Sequence, residues 1–105
     1  MSWLDGQVFN APAASTVLLD TGGVIPEGEQ QLPAILISST SPAVVLLQHR
    51  NAADNATLHQ HAIVLPVDQT LYLPSLGSIN CQQGERLRAV LFAAIAGRIQ
   101  VSFFA

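Results

Sequence analysis

The stretch that decides the fold is Ala43-Val44-Val45-Leu46-Leu47-Gln48-His49-Arg50. β-branched Val44 and Val45 lead into Leu46 and Leu47 and then a polar exit, the clearest strand signature in the chain. Upstream, Ser39-Thr40-Ser41-Pro42 turns the chain, and before it Gln31 to Ser38 reads as a strand. Leu32, Ala34 and Leu36 share one face of that strand, and Ile35 and Ile37 the other. Pro33 cannot donate a ladder hydrogen bond, so this strand is expected at an edge or bulged there. Further back, Ser15 to Asp20 is another apolar run, followed by turn signals at Thr21-Gly22-Gly23 and Pro26-Glu27-Gly28.

Downstream, Asn51 to Ala56 is a polar loop, and Thr57 to Val67 the next strand. Leu58, Gln60, Ala62 and Val64 alternate with His59, His61, Ile63 and Leu65 along it. Asp68 makes a turn, Gln69 to Leu73 is a short strand closed by Pro74-Ser75 and Gly77, and Asn80 to Gly84 is a second polar loop. Glu85 to Ile95 fits a helical face through Leu87, Val90, Leu91 and Ala94, with Gly97 just past its end. The same residues alternate as a strand, and Arg98 to Phe104 follows with Ile99, Val101 and Phe103 on one face. A strand hairpin is the reading taken, with a helix as the alternative. Short apolar runs between closely spaced turns mark an all-β chain: a small, jelly-roll-like β-sandwich over residues 15–105, preceded by an extended N-terminal arm over residues 1–14.

The chain has 105 residues, enough for one domain burying about 65% of its extended-chain surface. Half of it is hydrophobic, only 10% is charged, and the mean hydropathy is +0.39. An ordinary soluble domain carries roughly 25% charged residues. An exterior so poor in charge is expected to meet other protein, including copies of itself. Lysine is absent, and four arginines face seven acids for a net charge of −3, which disfavours nucleic acid as the main partner. The N-terminus lacks a basic segment followed by an apolar one, and the longest apolar run, Ala89 to Ala96, is far short of a membrane span. The expectation is a protein made in the cytosol, without a membrane partner.

Chemistry-bearing residues are sparse. His59 and His61 share one face of a strand, and His49 could join them from the facing strand, but no carboxylate or cysteine nearby in sequence completes a four-ligand set. They read as polar contacts at a surface or interface. Glu27, Glu29 and Asp54 read as solvated turn carboxylates. Cys81 has no neighbouring cation to activate it and no cysteine partner. Arg86 and Arg88, on one face of their strand, read as a surface or intersubunit salt-bridge element. No catalytic residue, metal or cofactor is expected.

The block Leu46-Leu47-Gln48-His49-Arg50-Asn51-Ala52-Ala53-Asp54-Asn55-Ala56-Thr57, with Leu65-Pro66, Gly84-Glu85-Arg86-Leu87-Arg88-Ala89-Val90 and the closing strand Arg98 to Phe103, resembles small β-sandwich proteins that decorate or cement the capsids of tailed bacteriophages. The resemblance spans roughly residues 17 to 103. It implies a virion structural protein rather than an enzyme, on the capsid exterior, bound to the major capsid protein at capsomer junctions as a homotrimer assembled in the host cytoplasm. Trp3, Leu4, Val8 and Phe9 of the arm would then anchor it, and the Gln48-His49-Arg50-Asn51 block would act in folding or in subunit contact rather than in chemistry, with His49 and Arg50 the interface candidates. The alternative expectation is a receptor- or carbohydrate-binding module of a phage fibre or tail tip.

Overall fold

The computed structural model describes residues 2–20, 34–66, 68–73 and 85–104. These contain nine strands: β1 (Ser2–Asp5), β2 (Phe9–Asn10), β3 (Val17–Asp20), β4 (Ala34–Ser39), β5 (Ala43–Arg50), β6 (Thr57–Leu65), β7 (Gln69–Leu73), β8 (Arg86–Leu91) and β9 (Arg98–Phe104). The expected turns at residues 21–28, 74–77 and 80–84, together with Pro33, Glu27, Glu29 and Cys81, lie outside the described residues.

One sheet has the order β1-β9-β4-β7, with β2 also on β9; the other has the order β3-β8-β5-β6. All pairings are antiparallel. β1 and β2 follow one another along β9 and act as one interrupted strand. Counted so, the two sheets have four strands each and the connectivity of a jelly roll. The all-β sandwich expected from the sequence is the fold observed.

Strand alternation builds the core. Ala43, Val45, Leu47 and His49 of β5 point inward, joined by Leu87, Ala89 and Leu91 of β8 and by Ile63 and Leu65 of β6. Ile35 and Ile37 of β4 and Ile99, Val101 and Phe103 of β9 meet them from the other sheet. Each large side chain fully removed from water contributes about 1.5–3 kcal/mol before the entropy of ordering is set against it.

Residues 86–91 are strand, not helix, because Leu87, Ala89 and Leu91 alternate with the half-buried Arg86, Arg88 and Val90, and the strand stops at Leu91, short of the expected Ile95. The expected hairpin from β8 to β9 does not form. β8 lies between β3 and β5, whereas β9 lies in the other sheet, so residues 92–97 cross the sandwich. The ends of both strands are claimed elsewhere: Leu91 N–H donates to Thr16 O, Phe92 N–H to Val44 O, and Thr40 N–H to Arg98 O, each at 2.9 Å. β4 is likewise not an edge. β9 pairs with it from Ala34 and β7 from Ile35, where every residue can donate to the ladder. β6 stops at Leu65, two residues before the expected end.

The segment expected as an arm is extended backbone laid along β9. Gly6 N–H donates to Val101 O at 2.9 Å, and the Gln100 side-chain amide donates to Gly6 O at 2.8 Å. A Cβ at Gly6 would stand 2.2 Å from Val101 O, so the approach of the two backbones requires glycine. Beyond it, Phe9 packs against the core and Ala11 N–H donates to Gly97 O at 2.8 Å.

Candidate functional site

The Gln48-His49-Arg50-Asn51 block forms the end of β5 and the first corner of its hairpin with β6. Asn51 organises the loop: its Oδ1 accepts from the backbone N–H groups of Asn55 at 3.0 Å and Ala56 at 3.3 Å, and its Nδ2 donates to Asn55 Oδ1 at 2.7 Å. Asp54 takes a positive φ of 56°, a conformation that short polar side chains tolerate better than most. That turn aims its carboxylate back over the outer face of the β3-β8-β5-β6 sheet.

There Asp54 meets three arginines. Its Oδ1 accepts from Arg50 Nε, its Oδ2 accepts from Arg88 Nη2 at 2.7 Å, and Arg86 Nη1 lies 3.3 Å from Oδ2. Arg50 also donates to Thr57 Oγ1 at 2.7 Å and to Asp54 O at 3.1 Å. From β3, Asp20 Oδ2 accepts from Arg88 Nε at 2.8 Å and lies 3.6 Å from Arg86 Nη1. The register explains the meeting: Arg50 pairs with Arg86 across β5 and β8, and Arg88 pairs with both Gln48 and Asp20. The hydrogen bonds from Arg50 and Arg88 hold the Asp54 carboxyl down to about 2. Burial opposes the charge of Arg88, but its bonds to Asp54 and Asp20 outweigh burial and leave its guanidinium raised.

Asp54 is therefore not the solvated turn carboxylate expected from the sequence. Arg86 and Arg88 are a salt-bridge element as expected, within one chain. A carboxylate held ionised at this level is poorly matched to proton transfer near neutral pH, and the cluster's evident work is to lock the loop onto β8 and β3.

On the inner face of the same strands, His49 is 3% exposed and its Nε2 lies 2.9 Å from Glu85 Oε1. Its Nδ1 is buried without a hydrogen-bond partner among the described residues. His59, directly opposite on β6, stacks on it with ring centroids 5.6 Å apart and planes 17° apart, and is itself exposed. His61 is exposed two residues on. Among the described residues, no three of His, Cys, Asp and Glu converge as a metal site.

The other residues expected at an interface are spread out. Leu4 lies in β1 opposite Phe103, and Trp3 sits at the bulge of the same strand. Val8 is exposed beside a shallow groove shared with Ser38, Thr40 and Arg98, and Phe9 is half-buried. Val17, Leu58, Val64, Tyr72 and Phe92 are also exposed. The outer face of the β3-β8-β5-β6 sheet divides in two. The cluster and the Gln48–Gln60 amide bond, at 3.0 Å, hold one end, while Val17, Val90, Leu46, Ala62, Val44 and Val64 follow in register at the other.

No protein family model, curated protein or solved structure matches the chain.

Proposed function

We propose that the protein is a phage virion structural protein that decorates the capsid exterior, binding the major capsid protein at capsomer junctions as a small oligomer. The observation that supports this reading is the exterior: among the described residues six large hydrophobic side chains are exposed, on strands of both sheets, just past β8 and on the segment preceding β2, in a chain with only 10% charged residues. A shell-binding protein adds buried area across seams and uses such a surface directly. Residues 6–10, with Val8 at the surface and Phe9 anchored in the core, present an apolar contact on a rigid base.

A second reading, a receptor- or carbohydrate-binding module, draws on exposed Tyr72 and Phe92, since sugars stack on accessible rings. Co-sedimentation with expanded empty shells of the cognate tailed phage tests the first reading, and a glycan array the second. Saturable shell binding with a blank array supports decoration. A sugar-specific signal without shell binding replaces it.

A further inference from the structure

β6 is an edge strand of a kind that folded proteins rarely leave bare. It is the longest strand described, among the described strands it pairs only with β5, and it contains no charged residue and no proline. Thr57 to Ala62 and Val64 are exposed, so solvent reaches both faces of the strand along most of its length. Natural edges are blunted by lysine, proline, short length or a bulge. The one bulge here falls between His59 and Thr57, at the start of the strand, and leaves residues 59–65 regular.

The direction of the backbone groups follows from the ladder. Phe92 N–H donates to Val44 O, so Val44 faces β8, and in an antiparallel sheet the alternate residues Val45, Leu47 and His49 face β6. Their partners Ile63, His61 and His59 bond back to β5. Gln60, Ala62 and Val64 therefore turn their N–H and C=O groups to the open edge, where they make no backbone hydrogen bond among the described residues.

We propose that this edge is the surface through which two copies of the chain meet, β6 against β6, around a two-fold axis at Ala62. The register pairs Ala62 with Ala62 and Gln60 with Val64 of the second copy, so every outward group of the regular stretch finds a partner and no like charges meet. A second β6 fits by length: among the described residues, β3 offers four residues with a bulge and β7 five. The product is a continuous eight-stranded sheet that runs the apolar rows through Val44, Leu46, Ala62 and Val64 across both copies. The inference specifies the self-association in the proposed function but does not depend on shell binding, and it assigns a dimer rather than the trimer implied by the resemblance.

The test is solution mass by light scattering with single substitutions at the exposed Ala62. The wild type is expected at about twice 11.1 kDa. Ala62→Lys and Ala62→Asp, which each oppose like charges at the axis, are expected as monomers, and mixing the two should restore the dimer, which also shows that both are folded. In a Cys81→Ser background, Ala62→Cys should oxidise to a crosslinked pair, whereas Val64→Cys, about 14 Å from its own copy, should not. A wild-type monomer, an oligomer whose mass ignores both charges, or crosslinking through Val64→Cys alone overturns the proposal. Dimers that fail to bind shells overturn only the decoration reading.

Discussion

Asp54 and Arg88 are 34 residues apart in sequence and joined by a 2.7 Å hydrogen bond, which ties the β5–β6 loop to β8, the strand paired with β5 in the same sheet. Arg50 holds the other oxygen of the same carboxylate, so one aspartate couples the loop to both β5 and β8.

Acid should loosen this tie. The folded carboxyl of Asp54 is held at about 2 against an ordinary value of 3.8, so its contribution is present above 3.8 and is lost as the pH falls toward 2. Urea midpoints measured from pH 5 to pH 2 should fall more steeply for the wild type than for Asp54→Asn, which keeps the loop geometry but has no charge to lose. Parallel curves would remove Asp54 from the acid response.

Gly6→Ala should destabilise the protein by about 1–3 kcal/mol, because the added methyl collides with Val101 O and backbone rather than a flexible side chain must yield. Thermal unfolding of the variant measures this. An unchanged midpoint would mean that the Gly6–Val101 contact does not persist in solution.

The His49–Glu85 contact should appear as a coupling energy. His49→Leu retains the apolar packing but removes the bond to Glu85 Oε1, at an expected cost of about 1–2 kcal/mol. A double-mutant cycle with Glu85→Gln should give coupling of at least about 0.5 kcal/mol; additive effects would assign the cost to packing alone.

Val8→Glu should leave thermal unfolding unchanged, because the side chain is exposed, while weakening shell co-sedimentation about tenfold. Full binding by this variant would move the shell contact away from residues 6–10.

Local pattern reached as far as single strands. The bounds of β5 could be read from Ala43-Val44-Val45 and the polar exit, and the strand character of residues 86–91 from the alternation of Leu87, Ala89 and Leu91. The same alternation could not tell a hairpin from a crossing. Leu87 and Ile99 point to the same core whether their strands share a sheet or face each other across the sandwich. The arginine cluster was half hidden for a related reason: the spacing of Arg86 and Arg88 puts them on one strand face, but nothing in the sequence marks Asp20, Arg50 and Asp54 as their partners.

By itself, the sequence determined the class of the fold, because side-chain period and turn residues act over a few residues and need no knowledge of what lies opposite. It also determined an exterior poor in charge, since composition leaves too few polar groups to cover the surface. Only the tertiary structure decided which strand lies beside which, that Asp54 is held by Arg50 and Arg88 with Arg86 alongside, that His49 lies inside while its stacked partner His59 faces solvent, and that β6 ends the sheet. Those are outcomes of pairing between distant segments, where the loop-closure entropy and the burial of both faces are settled together for the whole chain.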